Sequence, residues 1–320
     1  MNVSSVVLFG GSGFIGSHLA ARLSGHQLTI VLPTRHASHA MHLMPLPGVD
    51  IVEADLRDDA ALHRLVAGRD AVINLVGVLH AHRAQPYGPE FRQAHVELPR
   101  RLVAACAQAG VGRYLHMSAL GADPHGPSMY QRSKADGEAA AHSRPEVAAT
   151  VFRPSVVFGP EDNFLNMFAR LQRHLPLVPL ACAGARFQPV YVGDVAEAFV
   201  RALLDPHAAR QTYELGGPQV YTLAELVRLA GRYAGHERRV LALPDGLARL
   251  QATLFEMLPG TPVITRDNLD SMKVDNVISP ATKALTAAAL GIKLTALEAV
   301  APQYLSPTGR LEPLGARAGR

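Results

Sequence analysis

Residues 8–20 read LFGGSGFIGSHLA. An apolar run that begins at Val6 breaks into glycines after Phe9, and the chain then takes up a helical pattern. Gly10, Gly13 and Gly16 stand at GxxGxxG spacing directly after the apolar run. Glycine has a geometric use here: the turn needs dihedrals that side chains resist, the backbone must approach a phosphate, and the helix must pack closely on the strand. A strand that feeds a helix through such a turn presents free N–H groups at the helix start, where a pyrophosphate binds.

Outward from this stretch, short β-rich runs alternate with helical ones. VVLF (6–9), LTIVL (28–32), DIVEA (50–54), AVINLV (71–76) and RYLHMS (113–118) are separated by helical patterns such as DDAALHRLVAG and LVAACAQAG. That alternation predicts parallel pairing through right-handed crossovers, hence an α/β, doubly wound parallel sheet. Pro99 falls inside the fourth helical stretch, so that helix starts or kinks there. TVFRPSVVFG (150–159) reads as another core strand and QTYEL (211–215) as a last one. The expected division is a nucleotide-binding domain of 1–159 plus about 188–215, a smaller C-terminal α/β substrate lobe of about 160–187 and 216–305, and a disordered tail at 306–320. The helix DGLARLQATLFEML is expected to pack its apolar face inside that lobe, with membrane or partner docking as the alternative. Asp194 in VGDVAEA reads as a helix cap.

The nucleotide is read from an absence. An NAD site places Asp or Glu about 20 residues after the glycines, on the ribose 2′-hydroxyl. No acidic residue precedes Asp50, and LPTRHASH puts Arg35 at the end of the second strand instead. A guanidinium there pairs with a 2′-phosphate, which favours NADP(H). Asp55-Leu56 ends the third strand, where a carboxylate accepts from the adenine amino group, and Leu75-Val76-Gly77 ends the fourth, where a small residue admits a ribose. His36, His39 and His42 lack an HExxH or CxxC partner motif, so they are read as a cationic loop and no metal is expected.

YQRSK (130–134) holds the chemistry. Tyr130 and Lys134 are four apart, on one helix face. A cation within about 4–6 Å favours the phenolate and tunes the phenol for proton exchange with a carbonyl or alcohol. Eight tyrosines and four lysines in 320 residues produce this spacing by chance only about 0.1 times. Ser118, ending the fifth strand, is the candidate orienter of a substrate oxygen.

Composition bounds the partners. Apolar residues make up 48% and charged residues 18%, and 31 Lys and Arg stand against 27 Asp and Glu without forming a basic stripe. A small-molecule substrate is expected, and no nucleic acid. Cys106 and Cys182 both lie in apolar runs and read as buried free thiols in a reducing, cytoplasmic setting. No secretory peptide is visible, and LPLVPLACAGA (175–185) is too short to span a bilayer.

Taken together, GGSGFIG, the strand-ending Ser118 and YQRSK resemble an extended short-chain dehydrogenase/reductase of the Rossmann type. RPSVVFGPEDNFLN (153–166), QPVYVGDVAEAF (188–199) and YELGGPQVYTLAEL (213–226) are similar to the atypical branch of that family. That branch contains the dinucleotide-binding accessory subunit of respiratory complex I and bacterial epimerase/dehydratase-like relatives. The resemblance runs from about residue 3 to 300. It implies NADP(H) contacts from Gly10, Gly11, Ser12, Gly13, Phe14, Ile15, Gly16 and Arg35, with Asp55, Leu56, Val76 and Gly77 at the adenosine end. It also implies that Tyr130 and Lys134 reach the nicotinamide ribose, and that the Pro154–Val157 backbone edges the nicotinamide. The chain departs from the family in two places. The insert between Ser118 and Tyr130 is compact, and Gln93 and His95 stand where an Asn often completes a catalytic tetrad. Two functions follow: an NADP(H)-dependent oxidoreductase using Tyr130, Lys134 and Ser118, or a non-catalytic NADP(H)-holding protein. The resemblance also implies a peripheral membrane or respiratory, quinone-related partner at the inner face of a membrane.

Overall fold

The computed structural model describes residues 3–260 and 262–306. Apart from Ser306, the tail 306–320 lies outside the described residues. Along the chain the strands are β1 (Ser5–Phe9), β2 (Thr29–Thr34), β3 (Val49–Glu53), β4 (Ala71–Asn74), β5 (Arg113–Met117), β6 (Ala148–Pro154), β7 (Val157–Phe158), β8 (Leu177–Leu180), β9 (Arg186–Phe187), β10 (Val190–Tyr191), β11 (Thr212–Leu215), β12 (Tyr221–Thr222), β13 (Arg239–Ala242) and β14 (Leu285–Thr286). The helices are α1 (Phe14–Ser24), α2 (Asp59–Val66), α3 (Pro89–Phe91), α4 (Leu98–Ala109), α5 (Met129–Ala141), α6 (Leu165–His174), α7 (Val192–Leu204), α8 (Leu223–Tyr233), α9 (Asp245–Met257), α10 (Arg266–Ser271) and α11 (Leu297–Leu305).

Eight strands form one sheet in the order β14-β11-β6-β5-β4-β1-β2-β3. Its pairings are parallel throughout. Strands buried on both faces need apolar side chains on both, which is why Val6, Val7, Leu8 and Phe9 are all fully buried. The chain winds outward from β1 through β2 to β3, then returns to the other side of β1 as β4. That reversal is a topological switch point, where a crevice opens beyond the carboxyl ends of the strands. On the helical layers, α1 packs on α7, and α2 and α5 pack on α4. Between α3 and α4 the helix passes through a π turn, Arg92–Glu97. Pro99 has no amide hydrogen for the carbonyl of His95 four residues back, and the chain widens just before it.

The chain forms two compact units. The first holds the sheet: the residues up to Pro154, with Val192–Leu215 and Ile278–Lys293. The second holds, of the described residues, Ser155–Tyr191, those within Gly216–Val277, and Leu294 to Ser306. Three boundaries differ from the sequence reading. The run 150–159 is two strands rather than one, since β6 ends at Pro154 and β7 pairs with β10 in the second unit. Residues 188–191 belong to the second unit, and Ile278–Lys293 carries β14 to the edge of the sheet in the first. Asn276 accounts for the break: it accepts from the Val156 amide (3.0 Å) and the Ser155 hydroxyl (2.6 Å), drawing the chain away from β6.

The second unit has its own core. Leu165, Phe168, Leu226, Val227, Ala230, Leu297 and Ala301 from α6, α8 and α11 interlock there. Asp194 is the third residue of α7 and not its cap. Cys106 is buried and burial pushes its thiol up to about 12, whereas Cys182 is only half-buried; both are free. Among the described residues no helix is long and apolar enough to cross a membrane.

Candidate functional site

The loop after β1 has the geometry of a phosphate cradle. Gly10 sits at φ +79°, and its carbonyl accepts from the Gly13 amide at 3.2 Å. A Cβ on Gly16 would lie 2.2 Å from that carbonyl oxygen, so only glycine lets α1 start this close to β1. A Cβ on Gly10 would lie 3.1 Å from the backbone of Leu75 and Val76, so the loops after β1 and β4 touch at the switch point. No side chain caps α1 and no acidic residue lies in its first turn. The amides of Phe14, Ile15 and Gly16 have no partner among the described residues, which is what an anion site at a helix N-terminus requires. Ser12 is half-buried beside them and Gly11 is buried against Leu32. These residues fit a dinucleotide pyrophosphate.

Arg35 follows β2, is exposed, and has no ion pair or hydrogen bond among the described residues. The rim beside it is not free of carboxylate, however. Glu53 ends β3 opposite Thr34 and accepts from the Ala37 amide at 2.6 Å. Asp55 is exposed and clamped by Arg57, whose Nε and Nη2 donate to it at 3.0 Å each. That hydrogen bonding holds its carboxyl below the usual range. Leu56 packs on the sheet's core, and its carbonyl accepts from Arg101 at 2.9 Å. Val76 donates its amide to Asn74 at 3.1 Å.

Helix α5 brings the Tyr–Lys pair to the loop after β4. Its start is fixed by a capping box, Ser128 accepting from the Gln131 amide while the Gln131 side chain accepts from Ser128. Lys134 is buried, its ammonium donates to the Met117 carbonyl (3.2 Å), and it stands 5.8 Å from the Tyr130 ring centre. A methyl on Gly77 would stand 3.4 Å from its Nζ. Burial lowers the ammonium to about 8 and pushes the Tyr130 phenol up to about 12. Burial alone accounts for the rise, and it holds the phenol protonated at neutral pH.

Ser118 is buried, and its hydroxyl donates to Glu138 at 2.5 Å. Glu138 pairs with Arg153 (2.6 Å), which also reaches Glu214 (3.5 Å). The donor proton of Ser118 is thus committed to a structural ion-pair network. Pro154 ends β6 in the first unit, where its carbonyl accepts from Leu120 (2.9 Å), while Val157 lies in the second unit.

His95 is the residue whose part the sequence left unassigned. Its Nε2 accepts from the Val78 amide (3.0 Å), so Nδ1 bears the hydrogen and meets the Ser133 hydroxyl (2.9 Å), which donates to the Tyr130 carbonyl (2.8 Å). Its ring stacks on Phe91 and meets Tyr130 edge-on. It thereby ties the loop after β4 to α5. Burial and Lys134 keep it neutral, and burial holds His116 down to about 3.

Both imidazoles are neutral when folded and take up protons when unfolded below about 6.5. For His116, stability is therefore full above about 6.5 and falls as pH drops toward about 3, by about 1.4 kcal/mol per pH unit over most of that window, and His95 adds a loss of the same sign. Urea midpoints measured from pH 7 to 4 are expected to decline steeply, and His116→Leu to flatten the decline. Midpoints that stay level would contradict the buried neutral assignment.

The sequence profile described as the NAD dependent epimerase/dehydratase family matches residues 6–216. The chain belongs to that family. The mouse (Mus musculus) NADH dehydrogenase [ubiquinone] 1 alpha subcomplex subunit 9, mitochondrial, is 33% identical over 306 residues, 93% of this chain and 79% of that protein. The ceramide reductase of Caulobacter vibrioides is 27% identical over 241 residues, 75% of this chain and 74% of that one. The fold is similar to UDP-glucuronic acid 4-epimerase from Bacillus cereus, with a TM-score of 0.65 at 16% identity over 84% of this chain and 99% of that one. The cradle around Gly10–Gly16 thus lies at the start of the stretch that matches the family, in an epimerase/dehydratase-type fold.

Proposed function

We propose that the chain binds NADP(H) and reduces a carbonyl, with Tyr130 as the proton donor. The observation that carries this reading is one convergence in the sheet-bearing unit. The loops after β1 and β4 touch each other, Lys134 on α5 reaches the second of them, and the Tyr130 ring stands 5.8 Å from that ammonium. The bare amides of Phe14–Gly16 would hold the pyrophosphate, and Arg35 the 2′-phosphate. Glu53 is the competing group at that rim, but one of its oxygens is already occupied by the Ala37 amide.

The reduced nicotinamide supplies a hydride when bound. The chain's own part is to hold and deliver a proton. A phenol raised to about 12 keeps its proton at neutral pH and gives it to a developing alkoxide, so the reductive direction suits it. Lys134 would hold the nicotinamide ribose and supply charge beside the phenol. His95 keeps Gly77–Val78 and α5 in register. The substrate class is a carbonyl/alcohol compound of quinone-like or sugar-nucleotide-like type.

The test follows NADPH oxidation against carbonyl and quinone panels. Tyr130→Phe is expected to lower turnover by roughly 100- to 10,000-fold while weakening NADPH binding by no more than about tenfold.

A second reading, favoured by the commitment of Ser118 to Glu138, is a non-catalytic NADP(H)-holding protein. The mouse relative's name, which gives a ubiquinone-linked NADH dehydrogenase, supports a respiratory, quinone-related assembly as the partner for either reading. In both readings the protein is placed in the cytoplasm, peripheral at the inner face of the membrane. Tight NADPH binding without turnover on any panel, unaltered by Tyr130→Phe, would establish the second reading over the first.

A further inference from the structure

The Lys134 ammonium is buried at 5% exposure, and the Met117 carbonyl to which it donates (3.2 Å) is a neutral acceptor. A buried cation needs a counter-charge as well as a hydrogen bond. Glu138 stands one turn further along α5 from Lys134, as Lys134 does from Tyr130, so the three share one face of the helix. The Glu138 side chain is 12% exposed and accepts from the Ser118 hydroxyl at 2.5 Å, one residue beyond the carbonyl that holds the ammonium. The Arg153 guanidinium donates to the same carboxylate through Nε (2.8 Å) and Nη2 (2.6 Å), and meets Glu214 at 3.5 Å.

These buried charges balance in one state only. Two carboxylates, Glu138 and Glu214, face one guanidinium, Arg153. A protonated Lys134 makes the group neutral, and an uncharged one leaves a negative charge in excess. The other titratable groups around the ammonium carry no charge: Tyr130 on α5, His95 on the π turn and His116 on β5 are all neutral. His142, one turn beyond Glu138, is exposed at the helix end. Elsewhere on α5, Asp136 and Arg132 are bonded to Tyr87 and the Pro86 carbonyl. On the elements packed against α5, Glu90 and Arg101 are paired with His82 and Asp59, Arg92 lies over Tyr87, and Glu97 and Arg100 are exposed. Arg113, at the far end of β5, is bonded to Thr150 and the Ala202 carbonyl. Burial lowers the ammonium to about 8, and the Glu138 charge acts in the opposite direction.

We propose that Glu138 is a positioning residue that acts through Lys134, its carboxylate being the counter-charge that keeps the ammonium protonated. This role rests on the reading of Tyr130 and Lys134 as the proton-delivering pair. A phenol that gives up its proton becomes a phenolate, and the charged ammonium beside it stabilises that product. Loss of the Glu138 charge takes the proton from the lysine at neutral pH, where the phenolate needs it.

The chain has four lysines, so labelling it with [ε-13C]lysine gives four side-chain signals for nuclear magnetic resonance, and Lys134→Arg identifies its own by the signal lost. Following that signal against pH reads the ionisation of Lys134 without coenzyme or substrate, so a chain that turns nothing over still decides the matter. The wild-type midpoint is expected near 8. Glu138→Gln keeps the length and an acceptor for Ser118 but removes the charge, and is expected to lower the midpoint by about one pH unit. Glu138→Asp keeps the charge but withdraws from Ser118, and is expected to lower it by less than about half as much. A merely structural carboxylate predicts the reverse order. Glu214→Gln removes the second negative charge and is expected to move the midpoint in the same direction. A midpoint unmoved in Glu138→Gln, or moved further in Glu138→Asp, would overturn the inference. Where Glu138→Gln does not fold, a midpoint unmoved in Glu214→Gln would overturn it as well.

Discussion

Replacing Gly16 by valine is expected to abolish nucleotide binding, weakening NADPH affinity by more than about 100-fold, and to lower the thermal midpoint as well. The first β-carbon alone would stand 2.2 Å from the Gly10 oxygen and 2.6 Å from the Gly11 Cα. Both neighbours are backbone, so no side chain can swing aside, and α1 must move off the turn that aims its amides. Gly13→Ala is the control. A Cβ there meets only the Gly10 oxygen at 3.4 Å, and φ is −83°, so fold stability is expected to hold within about 0.5 kcal/mol. Any loss of affinity in that variant then reports crowding of the ligand rather than collapse of the turn. Retained NADPH binding in Gly16→Val, measured by calorimetric titration, would contradict the cradle.

The second large effect concerns Arg153. Its guanidinium sits between Glu138 and Glu214, whose side chains are 12% and 10% exposed. Arg153→Met leaves two buried carboxylates facing each other without a cation, and removal of one member of such a network costs about 3–5 kcal/mol. Chemical denaturation measures this, and adding Glu214→Gln is expected to recover part of the loss by removing the unpaired charge. Ser118 depends on the same carboxylate, so its hydroxyl loses its fixed acceptor geometry in the single variant. A loss below about 1 kcal/mol would mean that the pair is solvated and that Ser118 is free for substrate.

How much of this could be read in advance depended on how local the cause was. The strands of the sheet were legible because parallel strands covered on both faces are continuous apolar runs, and β1 ends in a glycine turn whose purpose is geometric. Tyr130 and Lys134 were legible because four residues of helix place them together without help from the rest of the fold. Glu53 was not, because it reaches the rim from the neighbouring strand, through a register that sets it opposite Thr34. The direction of the Ser118 hydroxyl was equally hidden, since its acceptor is twenty residues away on α5. The run 150–159 looked like one strand because its apolar pattern is unbroken, while the break is imposed by Asn276, more than a hundred residues later. Pattern also failed at α9, where leucines at helical spacing normally mark a buried face and the alanines occupy it instead.

The phenol showed a different limit. Spacing brings a cation near Tyr130, but only burial decides which way its acidity moves, and burial is a property of the whole unit.

The central claim is that Arg35 makes the adenosine end a 2′-phosphate site. Calorimetric titration of wild type and Arg35→Ala with NADPH and NADH tests it most directly. A charge-assisted hydrogen bond contributes about 1.5–3 kcal/mol, so wild type is expected to prefer NADPH and Arg35→Ala to lose roughly 10- to 150-fold in NADPH affinity while binding NADH as before. Equal affinity for the two coenzymes, or a preference for NADH that survives in Arg35→Ala, would contradict it.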